Sequence, residues 1–143
     1  MWIAYALLLA TVISVAVFAA DRDAPFAVLS VEPAFAKPGD VVMLRARVYR
    51  DSSRECSAVF SRYVFDASGA RHDDPSSPAS ASAAMIEGME KRSPGRLTLA
   101  LTVPDKAAPG PATLVSSLEY RCNKIHRLWP IEVTTEMPFT VLP

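Results

Sequence analysis

Apolar residues are distributed along this chain in two different ways. From Met1 to Ala20 (MWIAYALLLATVISVAVFAA) they run on without a single charge, and Asp21, Arg22 and Asp23 follow immediately. From Phe26 onward they recur at every second position, in short runs separated by proline and glycine. The continuous stretch predicts one helix that is apolar on every side, with Trp2, Leu8, Val15 and Phe18 among the residues of a membrane segment. About 20 residues at about 1.5 Å rise match the ~30 Å hydrocarbon core of a bilayer. The alternating runs predict strands buried on one face.

A retained anchor needs only that length and apolarity. A cleavable signal needs a positive n-region, an apolar core of about 7 to 15 residues and small residues before the cut. Here the α-amino group is the one positive charge ahead of a long run, although Val17 and Ala19 suit a cut after Ala19. A retained anchor is therefore expected, with a cleaved signal as the alternative. The all-round apolarity argues against a core helix of a small domain. Arg22, with no Lys or Arg before the span, favours a cytoplasmic C-terminal part. An apolar segment confined to the N-terminus and the two cysteines favour export, so an extracytoplasmic body is expected.

The first predicted strand is Phe26 to Val31, ended by Pro33. Lys37-Pro38-Gly39-Asp40 has proline second and glycine third, as a type II turn prefers. It leads into Val41 to Tyr49, where Val42, Leu44, Ala46 and Val48 alternate with Arg45 and Arg47. A third strand runs from about Ala58 to Phe65 and ends in the turn Asp66-Ala67-Ser68-Gly69. From His72 to Ala84 no large apolar residue occurs, which predicts a mobile surface loop; Met85 to Met89 suit a short edge strand. Ser93-Pro94-Gly95 precedes Arg96 to Val103, and Pro109-Gly110-Pro111 precedes Ala112 to Cys122, with Leu114, Ser116, Leu118, Tyr120 and Cys122 on one face. Ile131 to Thr134 and Phe139 to Leu142 supply a final strand or pair. About seven short strands and no helix after residue 20 predict an all-β sandwich, with a closed barrel as the alternative.

Charge and composition narrow the function. The 15 acidic and 15 basic residues all follow position 20 and cancel, which lacks the basic excess of a nucleic-acid binder. One domain fits the length after the apolar run, giving 1–20 as signal anchor or signal peptide, 21–25 as linker and 26–143 as the β domain. Eleven arginines against four lysines, with one asparagine, suit a GC-rich bacterial or bacteriophage genome.

The order of these elements resembles an immunoglobulin-like domain over roughly residues 26 to 142. The Pro-Gly-Asp turn before Val41, the Leu-Thr-Leu-Ala-Leu-Thr-Val strand and Tyr120-Arg121-Cys122 carry the likeness. The family often places a tyrosine two residues before its second cysteine. Two departures mark the likeness as distant: Cys56 follows the second strand instead of lying within it, and no tryptophan stands at the usual core position after it. The resemblance implies a bacterial immunoglobulin-like or fibronectin-like module, an architecture that hosts adhesins, chaperones, enzyme accessory domains and spacers alike.

Cys56 and Cys122, 66 positions apart, are expected to form one structural disulfide, since a redox pair would prefer C-x-x-C spacing. Side chains of His72, Asp73 and Asp74 alternate in direction on an extended chain and are expected to be solvated. His126 has no partner histidine nearby, so no metal site is expected, and no cofactor. Motifs for hydrolase, zincin and phosphate-binding chemistry are absent, and a non-enzymatic role is expected. The stretch Arg121 to Pro130 (RCNKIHRLWP) sets Arg121, Lys124 and Arg127 beside Trp129 without an acid, which suits an anionic glycan, a lipid headgroup or an acidic protein surface. The bland alternative for that stretch is a solvated connection with Trp129 folded onto the core. Together these readings describe a single-pass protein of the cytoplasmic membrane whose outer module contacts an envelope protein or surface polymer. A cleaved periplasmic or secreted binding or chaperone-like protein is the alternative.

Overall fold

The computed structural model describes residues 2–51, 53, 56–73 and 94–143. Helix α1 spans Trp2–Ala20. Among the described residues eight strands follow: β1 (Phe26–Val31), β2 (Phe35–Ala36), β3 (Val41–Arg50), β4 (Ser57–Phe65), β5 (Arg71–Asp73), β6 (Pro94–Thr102), β7 (Gly110–Arg121) and β8 (Ile131–Val141). A 3-10 turn at Ile125–Arg127 lies between β7 and β8. The strands form two sheets, ordered β1-β3-β6 and β2-β8-β7-β4-β5. Pairing is antiparallel throughout the described residues except for β2 beside β8.

Alternation decides which face of each strand is buried. In β3, Val42, Leu44, Ala46 and Val48 are buried, while Val41, Met43, Arg45 and Arg47 are exposed. Leu99 and Leu101 of β6 stand opposite Leu44 and Val42, and so share the same inner face. Val64, Ala112, Leu114, Met137, Phe139 and Val141 come from the other sheet and join them in one core cluster. Burying each of the valine, leucine, methionine and phenylalanine side chains among them contributes roughly 1.5–3 kcal/mol relative to leaving it exposed. β1 shows how the inward set is corrected locally: its register slips between Val28 and Ser30, so that Phe26, Val28 and then Val31 pack against the core. Without that extra residue, Ser30 would take the inward position.

The turn at Lys37–Asp40 closes as its sequence requires. Asp40 N–H donates to the Lys37 carbonyl at 3.1 Å, and Gly39 adopts φ 83°, where a side chain would also meet Asp105. Pro138 lies inside β8, which is one continuous strand. The N–H of Thr140 points toward β2 and donates to the Ala34 carbonyl at 2.9 Å. Two residues earlier Pro138 faces the same side, beyond the end of β2, so its missing N–H removes no ladder bond.

The loop expected from His72 is corrected at its start. Val64 pairs with His72 and Tyr63 with Asp73, making β5 an edge strand, because the tight turn at Asp66–Gly69 returns the chain antiparallel to β4. The rest of that loop and the expected strand at Met85 to Met89 lie outside the described residues. The two-residue β2 and the 3-10 turn are further additions; neither is long enough to leave a periodic signal.

Leu114 is fully buried between Val64 and Met137 of the flanking strands. Replacing it with alanine is expected to lower the unfolding free energy by about 3 kcal/mol, read as a shift in the urea midpoint at unchanged slope.

Candidate functional site

β4 begins where β7 ends, on one side of the five-stranded sheet, with Ser57 opposite Arg121 as the outermost pair. Cys56 and Cys122 are the next residues outward, and they are joined by a disulfide with a Cα separation of 4.1 Å. Directly opposed residues of an antiparallel non-hydrogen-bonded pair stand about this close, so the bridge extends the ladder by one rung. It links two neighbouring strands of one sheet. An oxidising, extracytoplasmic compartment is where such a bond forms and persists.

Beyond the disulfide the chain makes a polar knot. Asn123 accepts hydrogen bonds at its Oδ1 from the N–H groups of Ile125 (2.9 Å) and His126 (3.1 Å), and so opens the 3-10 turn. His126 is 0% exposed. Its Nδ1 accepts from the Cys122 N–H at 3.2 Å, and its Nε2 lies 2.8 Å from the carbonyl oxygen of Asp21. An acceptor at Nδ1 and a carbonyl at Nε2 select the tautomer with its proton on Nε2. The Asn123 Nδ2, 3.2 Å from Nε2, is then a second donor facing a donor; its productive contact is with the Phe18 carbonyl, also at 3.2 Å.

That knot holds the end of α1. Arg22 donates to the carbonyls of Trp129 (2.9 Å) and Pro130 (2.8 Å), and its guanidinium lies 4.3 Å from the centre of the Trp129 ring. One arginine thus satisfies two carbonyls of a turn and stacks on its aromatic ring. α1 itself has no buried residue and stands clear of the sheets, attached through Phe18, Asp21 and Arg22. It is long and apolar enough to cross a membrane, a property that anchors and signal sequences share.

The predicted contact residues gather here. Arg121, Lys124 and Arg127 line a shallow cavity of about 480 Å³ together with Ser57, Cys122 and Asn123. Trp129 is 58% exposed and Leu128 is 92% exposed, so the tryptophan is stacked under Arg22 instead of folded onto the core. Within its own segment the cluster has no acid, but Glu119 on β7 lies 3.5 Å from Arg121. Arg22, Asn123 and His126 hold this loop to the end of α1, a part that the sequence reading did not give them. An asparagine opening a turn is a local signal for Asn123; nothing local marks His126 as buried.

Near Cys122, Tyr120 is buried, and burial pushes its hydroxyl up to about 12 against the opposing influence of Arg50. At the far end of β4 the carboxylate of Asp66 is closed off from solvent. Its Oδ1 accepts from Ser68 Oγ (2.6 Å), Ser68 N–H (2.9 Å) and Ala70 N–H (3.0 Å). Its Oδ2 accepts from Ala108 N–H (3.0 Å) and meets His72 Nε2 at 2.9 Å. With both oxygens occupied, the group ties the β4–β5 turn to the segment before β7. His72, expected in a solvated loop, is part of this clamp, because β5 pairing turns it toward Asp66. Among the described residues no three His, Cys, Asp or Glu side chains converge as metal ligands.

No protein-family model and no curated protein matches this sequence. Among solved structures the chain is similar to a family 123 glycoside hydrolase from Clostridium perfringens, at 17% identity and a TM-score of 0.43. The match covers 78% of this chain and 22% of that one. A likeness of this size carries no argument about fold or activity.

Two measurements check these clusters. Replacing Cys56 and Cys122 together by serine is expected to cost about 4 kcal/mol of stability, the chain-entropy value for a loop of this length. The comparison is made by denaturant unfolding of the oxidised protein and the double variant. For Asp66, the Ser68 hydroxyl first, then the Ala108 N–H and His72, hold the carboxyl well below its ordinary 3.8. A lowered carboxyl stabilises the fold above the ordinary range and loses that contribution as pH falls below about 3.8. Thermal unfolding from pH 6 to pH 2 is expected to show this acid-side decline, and Asp66→Asn to flatten it at a lower Tm.

Proposed function

We propose that the chain is a non-enzymatic interaction module held to the cytoplasmic membrane by a retained α1, with its β domain on the outer side. It acts by contact with another envelope protein or a surface polymer. The observation that carries this reading is the attachment of the loop at 122–130 to the end of the helix. Asn123 reaches the Phe18 carbonyl inside the last helical turn, a contact that cleavage after Ala19 would remove. A domain clamped to its anchor is presented at a set height and orientation, which a binding module on a membrane requires. The disulfide favours the outer side of the membrane over the cytoplasm.

An immunoglobulin-like sandwich is the fold reading that goes with this function. The order β1-β3-β6 corresponds to A-B-E, and β8-β7-β4-β5 to G-F-C-C′. One core cluster fed by both sheets supports the same assignment. Tyr120 does not: it lies at the last-but-one position of β7, whereas the family's corner tyrosine stands near the start of the F strand. The disulfide departs from the antibody pattern, where the bridge crosses between sheets; here it joins the C-like and F-like strands.

The anchor reading is tested on protein recovered from its native membranes. N-terminal sequencing is expected to start at Met1, and alkaline carbonate is expected to leave the chain in the membrane fraction. A start near Ala20, with release into the soluble fraction, would make it a cleaved periplasmic or secreted binding protein instead.

A further inference from the structure

We infer that the loop between β7 and β8 rests on the lipid surface, where Arg121, Lys124 and Arg127 bind phosphate oxygens of anionic phospholipid headgroups. This gives the domain a second membrane attachment. The inference rests on the reading of α1 as a retained anchor. The 19 residues of α1, at about 1.5 Å each, match the ~30 Å hydrocarbon thickness, so its last turn lies at the boundary between acyl chains and headgroups. Asn123 is 3.2 Å from the Phe18 carbonyl within that turn. Therefore the loop itself sits at interfacial depth.

Its chemistry fits that depth. Leu128 and Trp129 are large apolar side chains with most of their surface open, and tryptophan is enriched where one side of a residue is apolar and the other wet. In the same loop Arg121, Lys124 and Arg127 line one shallow cavity. Guanidinium groups bind phosphate oxygens bidentately, and lysine adds a mobile point charge. Glu119 faces Arg121 at 3.5 Å, one carboxylate against the three cations of this set. An acidic protein would explain the cations, but it leaves the helix-end depth and the open leucine without a role. With two attachments the domain cannot swing freely about the linker. Its far end, carrying the turns at 37–40 and 66–69, is separated from this loop by about the length of β4, roughly 30 Å at ~3.3 Å per residue.

The test uses the full chain carrying Trp2→Phe, so that Trp129 is the only tryptophan, in nanodiscs of phosphatidylcholine with and without phosphatidylglycerol. Lipids brominated near the headgroup report its depth. Trp129 emission is expected to shift to the blue and be quenched more strongly when phosphatidylglycerol is present. Adding Arg121→Gln, Lys124→Gln and Arg127→Gln is expected to return the signal to the phosphatidylcholine level, with the disulfide intact by mass. Equal emission in both lipids overturns the headgroup contact. If inorganic phosphate added to phosphatidylcholine discs reproduces the shift, the site takes free anions and the lipid assignment is overturned. Failure of the anchor reading is a separate result: it appears as a mature start near Ala20, whereas a lipid-insensitive chain that starts at Met1 overturns only this inference.

Discussion

A histidine with no exposed surface donates its Nε2 proton to the carbonyl of Asp21, the first residue after the apolar helix. That bond ties together two parts of the chain whose separation in sequence is 105 residues. A buried imidazole must have both nitrogens satisfied, and here the partners are the Cys122 N–H on one side and the helix exit on the other. The disulfide holds Cys122 in place, Asn123 shapes the turn that brings His126 inward, and Arg22 closes the remaining carbonyls at Trp129 and Pro130. Remove the clamp, and the helix and the sheets become two bodies joined by a short linker.

The rest of the domain supplies a rigid base for that clamp. Its two sheets face each other across a core of aliphatic side chains, and β4, β7 and β8 carry long uninterrupted ladders toward the helix. The Asp66 clamp at the other end of β4 serves the same strand from the opposite side, tying the β4–β5 turn to Ala108. The two hydrogen-bonded clusters built on Asp66 and on His126 thus lie at opposite ends of the strands, with the aliphatic core between them. Ends of strands are where ladder bonds run out and backbone groups need side-chain partners.

Much of this architecture was legible from residues alone. The uninterrupted apolar run predicts α1, the alternation at Val41 to Tyr49 marks β3 and its buried face, and the Pro-Gly pair places the turn before it. The strands at Ala58 to Phe65 and Ala112 to Cys122 are displaced by only a residue or two. Elements without a period stayed hidden: β2 is two residues long and β5 three, and each exists because a neighbouring strand offers it hydrogen bonds. The basic, tryptophan-bearing segment was visible as a cluster, but its relation to the helix was not. Arg22 reads in sequence as a charge that bears on membrane orientation; in the fold it is a hydrogen-bond donor and a stacking partner of Trp129.

What the sequence by itself determined is what depends on near neighbours: hydrophobic period, turn chemistry, the charge-free span and the expected pairing of two cysteines. Tertiary structure alone decided what depends on distant ones. It buried His126, set the loop at 122–130 against the last turn of α1, and enclosed Asp66 with His72 and Ala108. The physical reason is that periodicity reports which face of an element is apolar, a local property. The partner of a polar group is chosen by which backbone atoms arrive beside it, and that is known only once the sheets have closed.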